Sequence, residues 1–238
     1  MKNLPSAVIF DTDNTLYPYQ PSHNAAIKAV EKKIYNLLGI KDNEFYSTYE
    51  KSKKEIKDLL TNTASSHSRL LYFQRTLENL GLKTKVLISL DLEQTYWRTF
   101  LSNCKLFDGV FDFIHQLKSQ GILIANITDL TTQIQFRKLV YFGLDEYFDY
   151  VVTSEEAGHD KPHKKPFELA LKKLNFSPEK VWMIGDNPIS DMIGAENLGI
   201  KKIQKIHDGV EVINKGNGKP DLIFKNYNEL NELIKNLK

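Results

Sequence analysis

Four consecutive apolar residues, Ala7–Phe10, run straight into two carboxylates two positions apart, Asp11 and Asp13, in the stretch "AVIFDTDNT". A short run with no polar alternation is what a strand covered on both faces requires. It predicts a sheet sandwiched between layers rather than one with a solvated face. Two carboxylates so close repel each other, and an ordinary strand-to-helix turn does not need both. A cation would offset the repulsion, which marks the end of this strand as a place to look for a site.

Beyond this strand the pattern changes character twice. Ile27, Val30, Ile34, Leu37 and Leu38 recur at intervals of three and four, the stripe of an amphipathic helix, and Gly39 ends it. Residues 43–60, 66–80 and 86–102 also read as helices, so 17–104 is a helical block without a convincing strand. From 105 onward strands and helices alternate. Helices are expected at 109–119, 132–142, 166–174, 190–198 and 227–236, and strands at "ILIANI", "YVVTS", "KVWMIGD", "KKIQKI" and "DLIF". Such alternation implies βαβ units, a parallel sheet and right-handed connections. The expected fold is α/β: a doubly wound parallel sheet formed by 1–16 and 105–238, with 17–104 inserted as a helical domain.

In open α/β sheets ligands bind outside the carboxyl ends of the strands. Three more polar groups fall at those ends: "ITD" at 127–129, "EEAGHDKP" after the strand at 151–153, and "GDNPISD" at 185–191. Their chemistry is mutually consistent. A carboxylate such as Asp11 is a competent nucleophile toward phosphorus when the phosphoryl group is held in line and its charge is neutralised. Thr128 offers a small hydroxyl donor, and three lysines, Lys161, Lys164 and Lys165, compete to supply a cation. Asp186 and Asp191 offer the hard oxygens that Mg²⁺ takes, and Gly185 allows a tight turn before Asp186.

Bulk properties narrow the partners. The chain has 238 residues, 41% of them hydrophobic and 26% charged, enough for a sizeable core. Its net charge of only +2 gives no reason to expect nucleic acid or an anionic membrane as partner. The lone Cys104 reads as a packing residue in a reducing compartment. The first apolar run meets Asp11 too soon for a signal-peptide core, and no window is long enough to span a membrane. A soluble, cytoplasmic protein is expected. The cluster "KKIQK" at 201–205 is expected at a solvated edge.

"DTDNT" after an apolar strand, a strand-end Thr128, the Lys161–Pro162 pair and "GDNPISDMIGAENLG" resemble, in order, the four motifs of the haloacid dehalogenase superfamily. The resemblance covers about 1–16 and 105–238, a Rossmann-like core. The helical block sits where members with an α-helical cap carry it. The resemblance implies that Asp11 forms an aspartyl-phosphate and that Asp13 is the general acid and base. It implies that Thr128, Asp129 and Lys161 serve the phosphate. Asp11, Asp186 and the main-chain carbonyl of Asp13 would hold Mg²⁺, with Asp191 a ligand or the orienter of a bound water. The family's register, a lysine before a proline with phenylalanine five residues after it, selects Lys161 through Pro162 and Phe167. The chain departs from the pattern at His163 and Lys164, where members often carry aspartate and proline.

Asp13 also bears on the reaction. The dehalogenases of the superfamily lack a second aspartate there, so its presence implies phosphoryl transfer, and a phosphatase is expected. A helical cap that closes over the site favours a small phosphomonoester such as a sugar phosphate or nucleotide, with no nucleic acid or membrane partner and an oligomeric state left open. A phosphomutase of the same family and a non-catalytic phosphometabolite-binding protein are the alternatives. In the helical block, Tyr96, Trp97, Arg69 and Arg75 could meet a substrate, but packed aromatics and solvated arginines are the simpler expectation.

Overall fold

Residues 4–237 of the protein are described by a computed structural model. The chain divides into two compact units. One contains the residues through Pro18 and those from Lys105 onward, and the other is Tyr19–Cys104.

The first unit is built on six parallel strands: β1 (Ala7–Phe10), β2 (Leu123–Thr128), β3 (Tyr150–Thr153), β4 (Val181–Gly185), β5 (Lys201–Lys205) and β6 (Leu222–Phe224). They lie in the order β3-β2-β1-β4-β5-β6, so the strand with the paired carboxylates is central, between β2 and β4. All four β1 side chains are fully buried, which explains the unbroken apolar run. Ala7 and Ile9 join one core cluster with Phe167, Ala170, Met183 and Ala195. Phe10, on the opposite face, meets Phe113 and Phe148 edge-on at 6.1 and 6.0 Å.

Helices of this unit include Val110–Ser119, Thr132–Phe142, Lys164–Leu174 and Tyr227–Asn236, close to their expected positions. Two features escape the sequence pattern. Ser154–Ala157 forms a single extra turn, capped by the Thr153 side chain. The segment after β4 begins as a π-helical turn, Pro188–Ile193, before the short helix Gly194–Glu196.

The expectation for "KKIQK" is corrected. This segment is β5, an interior strand, with Lys202 and Lys205 buried. Its lysines use their aliphatic stems as core. The Lys202 ammonium pairs with Glu196, and that of Lys205 lies 4.3 Å from the centre of the Phe107 ring.

The second unit contains four longer helices, Tyr19–Leu38, Asp42–Leu59, Arg69–Asn79 and Val86–Ser102, with a 3-10 turn at Ala64–His67. Ile27, Val30 and Ile34 are buried as their spacing requires, whereas Leu37 is exposed on the last turn. Gly39 follows in the left-handed region at φ 70°, a conformation that costs glycine little. The unit's core is largely aromatic: Phe45, Tyr49, Tyr72, Phe73, Tyr96 and Phe100 are all buried. Cys104 is buried too, its Sγ 3.2 Å from the Ser22 hydroxyl. Among the described residues no helix is long and apolar enough to cross a membrane.

Candidate active site

Because the strands are parallel, their carboxyl ends share one edge, and groups from three distant parts of the sequence arrive there. Asp11 follows β1, Thr128 ends β2, Asp129 comes next, and Asp186 follows β4. The main-chain N–H of Asp11 donates to the Ile184 carbonyl at 2.9 Å, which ties Asp11 to β4, the strand that Asp186 follows.

Lys161 lies at the centre. Its ammonium, with a side chain 3% exposed, donates to Asp11 Oδ1 and to Asp191 Oδ1 at 2.7 Å each, and reaches the Ile127 carbonyl at 3.3 Å. Asp129 supports it from behind, accepting the Lys161 main-chain N–H at 2.8 Å. Lys164 pairs instead with Glu168, at an exposed position. The other oxygen of Asp11 accepts from the Thr15 hydroxyl at 2.9 Å.

Asp191 projects from the π-helical turn and is fully buried. Its second oxygen accepts the Asn187 main-chain N–H at 3.0 Å. Gly185 makes room for this side chain. A Cβ there would run into the Asp191 carboxylate and lie 2.7 Å from its Cβ. The expected reason for this glycine, a tight turn, is thereby replaced, since its φ is not in the left-handed region. What it supplies is space.

Asp11, Asp186 and Asp191 each place a carboxylate oxygen within 4.8 Å of the others. Three buried or nearly buried carboxylates against one ammonium leave excess negative charge in a medium that penalises it. Burial first, and then Asp11 and Asp191, push Asp186 up to about 8. Burial pushes Asp11 up to about 6, with Lys161 opposing. Asp129 is raised to about 6, again first by burial. Burial alone would lower Lys161, but Asp11 and Asp191 hold it well above the usual lysine range. An all-oxygen donor set with surplus negative charge is what a hard divalent cation takes, so the three carboxylates can hold one metal ion.

Asp13 lies on the loop after β1. Its Oδ1 accepts from Lys138 Nζ at 2.6 Å and from the Tyr17 hydroxyl. The residue between the two aspartates, Thr12, is fixed from below. Its Oγ1 accepts from Asn126 at 2.8 Å and from Gln135 at 2.9 Å. None of Lys138, Gln135, Asn126 or Thr15 is identified from sequence. A signal for two of them exists. In the helix Thr132–Phe142, Gln135 and Lys138 stand within the buried stripe of Ile134 and Leu139. Polar side chains in an apolar stripe need a buried polar partner.

A parallel sheet that gathers a buried lysine and a triad of carboxylates at one edge defines an α/β fold with a cation-ready site. The chain belongs to the haloacid dehalogenase-like hydrolases, whose family profile matches residues 8–205. It is 37% identical to a ribulose-1,5-bisphosphate 5-phosphatase of Halopiger xanaduensis, over 84% of each chain. It is 30% identical to a glyceraldehyde 3-phosphate phosphatase of Methanothermobacter thermautotrophicus, over 83% of this chain and 84% of that one. Among solved structures, YfnB of Bacillus subtilis, described with magnesium bound, superimposes with a TM-score of 0.75 at 22% identity over 98% of this chain and all of that one. A phosphatase of the family from Thermococcus onnurineus gives 0.73 at 23% identity over 98% of each. These last two establish likeness of fold.

Proposed function

We propose that Asp11 is the nucleophile and Asp13 the general acid and base of a Mg²⁺-dependent phosphatase acting in the cytoplasm on a small phosphomonoester. The observation that carries this reading is the Lys161 ammonium seated between Asp11 and Asp191, with Asp186 completing a triad within 4.8 Å. A cation and a carboxylate that would serve as nucleophile thus lie together at the strand ends, which supports this reading. The relatives support the substrate class, since two of them are named for small sugar or triose phosphates.

In the first half-reaction a carboxylate oxygen of Asp11 attacks phosphorus. The bond from phosphorus to the ester oxygen breaks, and the leaving oxygen takes its proton from Asp13. In the second, water attacks the aspartyl-phosphate and gives its proton to Asp13, releasing inorganic phosphate and restoring Asp11. Lys161 draws the phosphoryl oxygens toward a nucleophile of like charge, and the Thr128 hydroxyl and the main-chain N–H of Asp129 donate to them. The Asp129 carboxylate, which anchors the Lys161 main chain, acts by positioning. Mg²⁺ would be held by Asp11, Asp186, the Asp13 carbonyl and Asp191. When bound it supplies charge neutralisation for the transferring group.

Purified protein should hydrolyse 4-nitrophenyl phosphate with Mg²⁺, stop with EDTA, and lose turnover in Asp11→Asn. Activity in Asp11→Asn close to wild type would sink the assignment. Release of inorganic phosphate in step with product separates hydrolysis from isomerisation of a sugar phosphate.

A further inference from the structure

Behind the carboxylate triad stands a buried amide that strand formation does not need. Gln204 lies in β5, in register with Gly185 of β4 and Ile223 of β6, and is fully buried. Pairing on both sides already secures the main chain at this position, and an apolar side chain would fill the space. The amide instead directs its N–H groups to two main-chain carbonyls, that of Asp186 and that of Glu211, at 2.8 Å each. A carbonyl only accepts, so Nε2 is the atom that faces them. This arrangement costs stability at the other end of the amide, where Oε1 is buried with no hydrogen-bond partner among the described residues.

Glu211 belongs to the connection between β5 and β6, residues 206–221, and other parts of that connection also close on the carboxylate-bearing segments. His207 places Nε2 3.9 Å from Asp186 Oδ2. Its Nδ1 lies 3.1 Å from the Asp208 carbonyl, and its ring sits against Phe107 with 6.2 Å between centres. Farther along, Gly218 is buried against the π-helical turn that carries Asp191. A Cβ there would lie 2.7 Å from Ile193 Cγ1, 3.0 Å from Ile213 Cδ1 and 3.4 Å from the Pro188 carbonyl oxygen. The connection is thus fastened at both places that supply carboxylates after β4. Asp186 needs such support, because it lies one residue beyond the point where the pairing of β4 ends. An outer group that holds a ligand in one orientation raises metal affinity without touching the metal.

We propose that Gln204 is a positioning residue for the metal site: its amide locks the Asp186 main chain to the 206–221 connection, so that metal affinity depends on a connection that contributes no ligand. This rests on the metal site of the phosphatase reading above and adds a determinant outside its ligand set.

The test uses Gln204→Met, which keeps the length and bulk of the side chain and removes both donors. Isothermal Mg²⁺ titration should give an affinity about tenfold or more below wild type. In turnover of 4-nitrophenyl phosphate, the Mg²⁺ concentration for half-maximal rate should rise by the same factor, and the rate at saturating Mg²⁺ should fall by less. A lower melting temperature in EDTA with unchanged Mg²⁺ affinity would make Gln204 a packing residue and overturn the proposal. A second measurement needs no variant. Because coupling between two sites is reciprocal, Mg²⁺ should slow amide hydrogen exchange severalfold in peptides covering 206–213 of the wild-type protein. Exchange there that is indifferent to Mg²⁺ would equally overturn it. Wild-type protein that takes up no Mg²⁺ would remove the metal reading and this inference together, whereas equal uptake by wild type and Gln204→Met would remove only the inference.

Discussion

Lys138 Nζ lies 2.6 Å from Asp13 Oδ1, and the lysine side chain is only 1% exposed. The ammonium also sits 5.6 Å from the centre of the Tyr17 ring, whose hydroxyl bonds the same aspartate. Asp13 is thus held by two side chains, one delivered by a helix far along the chain and one by its own loop. Its carboxylate is about one-third exposed, so it can rehydrate if the lysine is removed. Lys138→Met keeps the aliphatic bulk and removes the charge. Stability should change by less than about 1 kcal/mol, because loss of the ion pair and loss of the buried ammonium's desolvation oppose each other. The turnover number should fall by roughly ten- to hundredfold with KM little changed, since Asp13 would no longer be presented in one place. Lys138→Arg should recover part of it. Steady-state kinetics alongside urea denaturation read both quantities, and a stability loss with unchanged kcat would reduce Lys138 to a structural role.

Much of this arrangement is legible in sequence because it depends on local pattern. The apolar run Ala7–Phe10 announces a doubly covered strand, and the polar groups at strand ends fall on one edge once the strands are parallel. What stays hidden depends on long-range packing. Nothing local says that Gly185 yields space to Asp191, or that Arg69, contrary to the solvated arginine expected, turns inward to three aromatic rings. The lysines of β5 read as surface because composition does not reveal which stems lie against Phe107. Gln135 and Lys138 leave a trace, as polar intrusions in an apolar stripe, but the trace does not name Thr12 and Asp13 as their partners.

Lys161 neutralises part of the charge of the carboxylate triad, so its removal should be felt first as instability. Lys161→Met would leave Asp11 and Asp191 facing each other with no ammonium between them. Breaking a buried pair in this way costs about 3–5 kcal/mol. Mg²⁺ should return a good part of the loss by supplying the missing positive charge. Turnover should stay low even with saturating metal. Thermal melts in EDTA and in Mg²⁺ provide the check, and a variant as stable as wild type in EDTA would contradict the charge argument.

The raised carboxylates give the metal-free protein a defined pH dependence. Asp186 is pushed up to about 8 and Asp11 to about 6, by burial before anything else, whereas in the unfolded chain both return to about 4. The folded protein therefore keeps protons that the unfolded chain releases. The stability these groups contribute is fully present below about pH 4 and is lost as the pH rises toward about 8. Metal binding reverses the trend, because it requires the deprotonated carboxylates. Mg²⁺ affinity should rise up to about tenfold per pH unit below about pH 8 for each proton released. Melting temperatures in EDTA that do not decline across this window would refute the assignment.

Gly185→Ala tests the proposed metal site through space alone. The new methyl group would collide with the Asp191 carboxylate, and that side chain is poorly placed to yield. One of its oxygens is held by Lys161 at 2.7 Å and the other by the Asn187 N–H at 3.0 Å, so moving it breaks at least one charge-assisted bond. The alternative is to displace β4, whose five residues are buried throughout and paired on both sides. Either adjustment should destabilise the fold by about 1–3 kcal/mol, the usual range for overpacking. The two differ in what they do to the metal. If Asp191 gives way, Mg²⁺ affinity should drop by about tenfold or more, while the melting temperature in EDTA falls only modestly. If the strand gives way, both should fall together, because Asp186 follows directly on the strand. Of these the first is expected, since a single buried side chain moves more readily than a central strand. Isothermal Mg²⁺ titration of Gly185→Ala against wild type, with melts in EDTA, separates the two, and unchanged affinity with unchanged stability would mean that Asp191 is not confined as its contacts require.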